Sequence, residues 1–301
     1  MTEALRGHLA MLTFSALIAG SFALGSLASP HIASTAMNAV RFALAAVILG
    51  VAAQARVGLT MAQFRAPWRF VVLGGLMGFY FVTMFEGLKT APPVSLSAVF
   101  TLMPVVAGGF GYILLRQVMT RRMALALGFG ALGALWVIFR ADLGAFLAFE
   151  VGPGVAIYFV GCVAHALYTP LVPRLNRGES PIAFSFGALV AATGMIVVAG
   201  WNDIRATDWA SLPAIVWITI AYTAAMATAL TFVLLQYASL RLPSAKVMAY
   251  TYLTPVWVIG WLLLLGQGLA PVKLLPGVGL IVLALVLLLK DEHTSDEARA
   301  P

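Results

Sequence analysis

The 301-residue chain is 62% hydrophobic and only 10% charged, with a mean hydropathy of +0.99. Soluble domains are closer to half apolar and a quarter charged, so these values exclude an ordinary water-soluble protein and indicate one that buries apolar surface against lipid. The net charge of +7 comes without a basic run long enough to follow phosphates, which argues against a nucleic-acid partner, and the single cysteine, Cys162, excludes an intramolecular disulfide or a cysteine metal cluster.

Ten apolar runs follow one another along the chain, each about the twenty residues that a helix needs to cross the hydrocarbon core. Short separators rich in Pro, Gly and charge divide them, and the runs lack period-two alternation, so they predict helices and exclude a barrel. The predicted spans lie near 8–28, 34–54, 67–88, 92–115, 122–140, 152–173, 180–200, 212–238, 243–266 and 272–290. The first run, behind Arg6, also resembles a cleavable signal peptide, but its length favours an uncleaved helix.

Lysine and arginine alternate in density from loop to loop. With the N-terminus in the cytoplasm, the inside segments hold twelve of these residues and the outside segments hold four, while Arg41 and Lys246 fall within spans and complete the 18. Basic residues concentrate in cytoplasmic loops. The distribution therefore predicts two cytoplasmic termini and a multi-pass protein of the bacterial inner membrane.

Two segments, one in each half of the chain, share a pattern of prolines and small apolar residues. They read GLKTAPPVSLSAVFTLMPV at 87–105 and ASLRLPSAKVMAYTYLTPV at 238–256. A constant offset of 151 residues pairs Pro92 with Pro243 and Pro104 with Pro255. Because each half holds five helices, an odd number, the second half must enter the membrane from the opposite side, which makes the repeats inverted.

The predicted fold is therefore an all-α integral membrane protein of ten helices, built as two inverted five-helix repeats at 1–146 and 147–301 within one membrane domain. Pro104 and Pro255 each lie roughly 18 Å from a helix end, near the middle of a core about 30 Å thick. Each proline frees the carbonyl four residues earlier and kinks its helix, which favours a pair of hinges beside a central cavity. The alternative is that membrane helices simply tolerate proline.

These residues resemble the drug/metabolite transporter superfamily, and within it the EamA-type ten-helix members. The resemblance is carried by Asn38-Ala39-Val40-Arg41-Phe42, Gly87-Leu88-Lys89-Thr90-Ala91, Pro104, Pro243, Pro255 and the stretch 277–283. Many relatives have a Trp-Gly pair midway through helix one, where this chain has Ala19-Gly20-Ser21. The spacing from Tyr80 to Pro104 is most similar to that of YddG-type exporters of aromatic amino acids.

The resemblance implies a secondary transporter that exports small amphiphilic metabolites, above all aromatic or neutral amino acids, by alternating access. Its partners would be a small-molecule substrate and the lipid bilayer, with no cofactor, and the protein would act as a monomer or homodimer. Exporters of drugs, cations or nucleobase-like compounds belong to the same superfamily and form the alternative.

Polar and aromatic side chains within the spans are the candidates for substrate binding, because polar groups are costly in lipid. They are Phe79, Tyr80, Thr101, Met103, His165, Tyr168, Lys246, Tyr250 and Trp257. His165 either binds a substrate or a proton, or is a packing residue bonded to a carbonyl. Lys246, Tyr250 and Trp257 share a helix face, where Lys246 either reaches the cytoplasm or holds a substrate carboxylate. Arg41 is expected to pair with backbone carbonyls or an acid in a structural role.

Two other classes of membrane protein have sequence patterns of their own. An intramembrane enzyme would need a nucleophile beside a base, or grouped metal ligands, and the sequence contains no HExxH, GxSxG or P-loop pattern. A channel would need rings of charge or a carbonyl filter, and no such sequence is visible. The sequence therefore predicts a protein that is not an enzyme and has no resident metal.

Overall fold

The computed structural model describes residues 3–118, 120–147, 151–268 and 271–297, with side chains throughout these ranges except at 4, 62 and 288–297. Within them the fold is entirely helical. The α-helices are α1 (Glu3–Ala28), α2 (Ser34–Arg56), α3 (Trp68–Gly87), α4 (Pro93–Phe100), α5 (Met103–Leu115), α6 (Arg121–Ile138), α7 (Leu143–Leu147), α8 (Pro153–Leu175), α9 (Pro181–Ala199), α10 (Trp201–Ala206), α11 (Ala214–Ala224), α12 (Thr231–Ser239), α13 (Ser244–Ala249), α14 (Thr254–Leu264) and α15 (Leu275–Glu297). Single turns of 3₁₀-helix lie at Met61–Phe64, Tyr250–Leu253 and Val272–Leu274, and a π-helical segment lies at Ala225–Leu230.

Nine helical stretches among the described residues are long and apolar enough to cross a membrane. They correspond to the first nine predicted spans, with α4 and α5, α11 and α12, and α13 and α14 each forming one interrupted stretch. The tenth predicted span, near 272–290, falls on the 3₁₀ turn Val272–Leu274 and on α15, where the apolar helical stretch Val272–Leu287 is shorter than the other nine. The helical prediction is confirmed, whereas the count of ten, the inverted repeats and the orientation of the termini stay predictions.

The local sequence explains where several helices begin. Pro93, Pro153 and Pro181 are the first residues of α4, α8 and α9. A missing N–H costs nothing at that position, and the fixed φ of proline is already helical. The hydroxyl of Ser180 also accepts a 3.3 Å hydrogen bond from the backbone N–H of Ala183, which caps α9.

Both predicted kinks are observed as interruptions of a helix. Two residues separate α4 from α5 just before Pro104, and the turn at Tyr250–Leu253 separates α13 from α14 just before Pro255. In the first interruption the backbone N–H groups of Thr101 and Leu102 bond three residues back, over 3.0 Å each, instead of four. Proline has no N–H to continue the ladder, so each helix restarts with its proline in the first turn, α5 at Met103 and α14 at Thr254. The role of these breaks as hinges stays a prediction.

The most extensive helix contacts join the two halves of the chain. α3 packs against α8 and α9, α2 against α9, α6 against α15, and α1 against α12 and α14. Small residues permit the close crossings: a Cβ on Gly87 would lie 2.7 Å from the carbonyl oxygen of Gly154, and one on Gly133 would lie 2.5 Å from that of Gly277. Membrane helices associate through such small-residue contacts. The halves therefore share one interlocked core.

An ion pair ties the halves together at the end that is predicted to face the cytoplasm. Nη2 of Arg69, at the start of α3, lies 2.7 Å from Oε1 of Glu179 in the turn between α8 and α9, and both side chains are buried. Burial by itself would raise the pKa of Glu179, but the guanidinium of Arg69 and the backbone N–H of Arg177 hold that pKa below its usual value. The carboxylate is therefore kept charged and paired at this junction.

Candidate functional site

A cluster of aromatic rings fills the middle of the helix bundle. Its members come from α1, α2, α3, α4, α8 and α12, and each is exposed by 2% or less. They are Phe22, Phe42, Tyr80, Phe81, Phe100, Tyr158, His165, Tyr168 and Phe232. We call these nine residues the central cluster. Neighbouring ring centroids lie 4.5 to 6.3 Å apart, the range in which aromatic pairs attract each other beyond their buried area.

His165 on α8 lies within the central cluster and meets three of its rings. Its centroid is 4.5 Å from that of Tyr80, 5.8 Å from that of Phe100 and 6.2 Å from that of Tyr168. Among the described residues neither ring nitrogen of His165 has a hydrogen-bond partner. Leaving a buried polar group unpaired costs about 1–3 kcal/mol. Within the described part of the chain, His165 thus has one hydrogen-bond donor and one acceptor without a partner, and aromatic rings surround both.

The face of α8 that carries His165 also carries Tyr158 and Tyr168, seven residues before it and three after it. The hydroxyl of Tyr158 lies 2.9 Å from that of Tyr80, and Nε2 of Gln236 on α12 donates over 2.8 Å to the hydroxyl of Tyr168. The sequence analysis missed Tyr158, although a spacing of seven residues places it on the face of His165. Gln236 was also not among the candidates, although it is a polar residue within the predicted span near 212–238 and polar groups are costly in lipid.

The candidates on α3 and those beside Pro104 differ in how far they are buried. Tyr80 is fully buried in the central cluster, whereas its neighbour Phe79 is 48% exposed on the outer face of α3. Thr101 and Met103 are fully buried at the break between α4 and α5. The hydroxyl of Thr101 donates over 2.6 Å to the carbonyl of Ala98, so its bond stabilises the end of α4.

The three candidates on the second interrupted helix lie outside the central cluster. The hydroxyl of Tyr250 is 3.0 Å from Nδ1 of His8, and Nε1 of Trp257 donates over 3.2 Å to the hydroxyl of Ser15. Both partners belong to α1. Lys246 is half-buried on α13. Two members of the predicted helix face, Tyr250 and Trp257, thus contact α1, and the side chain of Trp257 is still 39% exposed.

Arg41 on α2 is fully buried and adjoins the central cluster. Its Cζ lies 4.0 Å from the ring centroid of Phe81, a cation–π contact. Its Nε donates to the hydroxyl of Thr228 over 2.6 Å and its Nη2 to the carbonyl of Ala227 over 3.0 Å. The expected pairing with a backbone carbonyl is therefore observed, and both partners lie in the π-helical segment Ala225–Leu230.

A polar cavity of about 520 Å³ opens at the end of the bundle that is predicted to face the periplasm. It lies between the α3–α4 turn, the end of α6 and the start of α8, and we call it the outer vestibule. Among the residues that line it are Thr90, Ser95, Arg140, Asp142, Val155 and Lys273. Ser95 precedes Phe100 by five residues on α4, and Val155 precedes Tyr158 by three on α8. The vestibule therefore ends within about 8 Å of the central cluster along those helices.

Three comparisons with known proteins agree with this architecture. The sequence profile of the EamA-like transporter family matches residues 5–139 and again 152–290. The Bacillus subtilis (strain 168) protein named "Uncharacterized transporter YyaM" is 25% identical over 252 residues, which cover 83% of this chain and 82% of that protein. A solved structure titled "Crystal structure of protein" aligns over 95% of both chains with a TM-score of 0.71 and 19% identity, a likeness of fold.

The profile matches most of the chain, and nine helical stretches among the described residues are long and apolar enough to span a membrane. This chain therefore belongs to the EamA-like transporter family and is a multi-pass membrane transporter, not an enzyme.

Proposed function

We propose that the protein exports small amphiphilic metabolites, above all aromatic and neutral amino acids, from the cytoplasm across the bacterial inner membrane. The observation that carries this proposal is the buried histidine of the central cluster, whose two ring nitrogens have no partner among the described residues. Intramembrane polar groups of this kind are functional-site candidates, because nothing in lipid compensates them.

The composition of the central cluster favours an aromatic or apolar solute. In this conformation its rings pack against one another and exclude water. A solute with its own ring replaces those ring–ring contacts as it enters, each worth about 1 kcal/mol beyond the buried area. It also supplies a hydrogen bond to His165, whose ring nitrogens find none among the described residues.

Alternating access between two inverted halves is the proposed mechanism. The family profile matches once in each half, at 5–139 and 152–290. The packing is also reciprocal: α3 contacts α8 as α1 contacts α12, and α5 contacts α8 as α14 contacts α1. Halves related by a two-fold axis in the membrane plane would pack in this way. Because each residue of the central cluster is exposed by 2% or less, the halves must move apart to admit a substrate.

Counterflow in proteoliposomes tests the proposal. The purified protein is reconstituted, and uptake of labelled tryptophan, phenylalanine, leucine, arginine and glutamate is measured with and without a pH gradient. We expect saturable counterflow of the aromatic and neutral amino acids. His165→Phe should lower the rate at least tenfold, because phenylalanine fills the site and offers no hydrogen bond. His31→Ala is the matched control, since His31 is exposed in the turn after α1.

The same measurement with a pH gradient tests whether transport is coupled to protons. Counterflow that depends on the gradient in the parent protein, but not in His165→Phe, would assign proton coupling to His165. Absence of transport for every amino acid, with folded and monodisperse protein, would overturn the proposed substrates. The drug and nucleobase exporters of the superfamily would then supply the next panel.

A further inference from the structure

Arg41 is a fully buried cation for which the described residues supply no counter-ion. The ion pairs of the structure are formed by other residues, and no carboxylate lies within ion-pair distance of its guanidinium in the described ranges. Two of its nitrogens donate to the neutral oxygens of Thr228 and Ala227, while Nη1 has no hydrogen-bond partner there. The site thus holds a full positive charge and a free N–H donor.

An unpaired buried charge is costly enough that it needs a reason. Buried charges in proteins are normally paired, and an arginine within a membrane span normally marks a functional site. The contacts with the Phe81 ring at 4.0 Å and with two neutral acceptors stabilise the guanidinium only in part. Arg69 shows the contrast within the same molecule, because its buried guanidinium is neutralised by Glu179 at 2.7 Å. In the described part of the chain Arg41 lacks such a partner, and it is suited to receive one.

The position of Arg41 relates this charge to the central cluster. Its guanidinium covers the ring of Phe81, whose centroid is 4.7 Å from that of Tyr80, and Tyr80 in turn lies 4.5 Å from His165. A cation therefore stands at one edge of a contiguous set of rings. This arrangement complements a solute with an anionic head and an apolar or aromatic tail, and the planar guanidinium is the group best shaped to bind a carboxylate through two N–H donors.

The π-helical segment supplies a link between binding and conformation. Nη2 of Arg41 donates to the carbonyl of Ala227, which lies within Ala225–Leu230. π-helical turns are rare and are often found at functional sites. Because Nη2 carries two N–H groups, a carboxylate that accepts one hydrogen bond from Nη1 and one from Nη2 would share Nη2 with this carbonyl, which would couple substrate binding to the contact between α2 and the π-helical segment.

We propose that Arg41 binds the carboxylate of the transported solute, so that the substrates are monocarboxylates with an apolar or aromatic tail. This inference rests on the proposed export of amphiphilic metabolites and narrows it to one chemical class. Lys246, which the sequence analysis considered for this role, lies half-buried on α13 outside the central cluster.

Four solutes that differ only in their head groups test the inference in the reconstituted protein. They are phenylalanine, 3-phenylpropionate, phenylalaninamide and phenethylamine, each measured as a competitor of labelled phenylalanine and as a counterflow substrate. We expect the two carboxylates to compete at least tenfold more strongly than the amide and the amine. Because this comparison uses the unmodified protein, it does not depend on whether a variant folds.

Variants of Arg41 then assign the discrimination to the side chain. Arg41→Gln should abolish the preference for carboxylates, and Arg41→Lys should retain part of it through the remaining charge. Arg69→Gln, which also removes a buried arginine, should leave the preference unchanged. Equal transport of phenylalanine and phenethylamine, or a preference that survives in Arg41→Gln, would overturn the role of Arg41 and leave the proposed export intact. Failure to transport any of the four solutes would instead count against the proposed function.

Discussion

The helix interrupted before Pro104 and the helix interrupted before Pro255 share a local cause and differ in their surroundings. At the first interruption, the ring of Phe100 packs against Phe22, Tyr80 and His165 of the central cluster. At the second, the ring of Tyr252 lies against Gly130 of α6, in a separate apolar core with α15. The missing N–H of proline therefore explains each interruption. Whether an interruption borders the candidate site depends on the side chains that pack around it.

The polar groups of the site show the same asymmetry between the halves. The end of α1 at Ala28 matches the end of α8 at Leu175, and the start of α2 at Ser34 matches the start of α9 at Pro181, an offset of 147 residues in both cases. With this offset, Ile18 takes the position of His165, and Ala188 takes that of Arg41. The halves thus have an interrupted helix in common but not the histidine or the unpaired cation. We infer that the repeated part of the sequence supplies the moving framework and that the unrepeated polar residues supply substrate recognition.

The largest loss of folded protein is expected from a substitution at the crossing of α6 and α15, the two helices that pack beside the second interruption. Gly133→Leu should abolish most of the folded protein, because a Cβ at that position already lies 2.5 Å from the carbonyl oxygen of Gly277 and 2.9 Å from Cγ1 of Ile281. Gly128→Leu on the same helix is the control, since a Cβ there meets nothing within 4 Å. Fluorescence-detected size exclusion in detergent measures the folded fraction. Equal folding of both variants would show that the crossing tolerates a wider separation.

The next prediction separates the two interruptions by function. Phe100→Ala and Tyr252→Ala each remove a fully buried ring, and each should lower stability by about 3–4 kcal/mol. Only Phe100→Ala should also raise the apparent KM for an aromatic substrate, by several-fold, because only Phe100 belongs to the central cluster. Thermal unfolding and concentration-dependent counterflow report the two quantities. A similar rise in KM for Tyr252→Ala would mean that both interruptions border the substrate.

Much of the fold could be predicted because lipid constrains it strictly. A spanning helix must be apolar over about twenty residues and must satisfy its own backbone, so composition and proline positions largely define the nine spans and both interruptions. The π-helical segment could not be predicted, because AMATAL is an ordinary apolar sequence, and only the backbone of the structure shows it. The short helix α10 is likewise visible only in the structure.

The candidate site was harder to predict from the sequence. Helices that are apolar on every side do not reveal which face is buried, so adjacent Phe79 and Tyr80 could not be separated. Spacing did place Tyr168 and His165 on one face, but it could not show that Tyr250 and Trp257 would meet α1. That Nη1 of Arg41 and the ring nitrogens of His165 have no partner among the described residues depends on every neighbouring helix, and therefore only the structure reveals it.

The smallest and most specific effect is expected from the prolines. Replacing both Pro104 and Pro255 with alanine supplies an N–H at each position, which can bond to the carbonyl of Phe100 and of Thr251 and make each helix continuous. A continuous helix is stiffer, so we expect efflux to be several-fold slower while membrane insertion and thermal stability are retained. Each single variant should slow efflux less, because one interruption remains. Initial rates from proteoliposomes provide the measurement.

Hydrogen exchange shows whether the helices have closed, which an efflux rate alone cannot do. The amides near 101–105 and 252–256 should become more protected in the double variant, because the new N–H groups complete the ladder. Pro213→Ala is the control, since Pro213 precedes α11 and interrupts no helix. Unchanged efflux together with increased protection would remove the hinge hypothesis, because both helices would then be continuous without any cost to transport. Slower efflux with increased protection would instead tie the transport rate to these two interruptions, as the shared proline pattern of the two halves predicts.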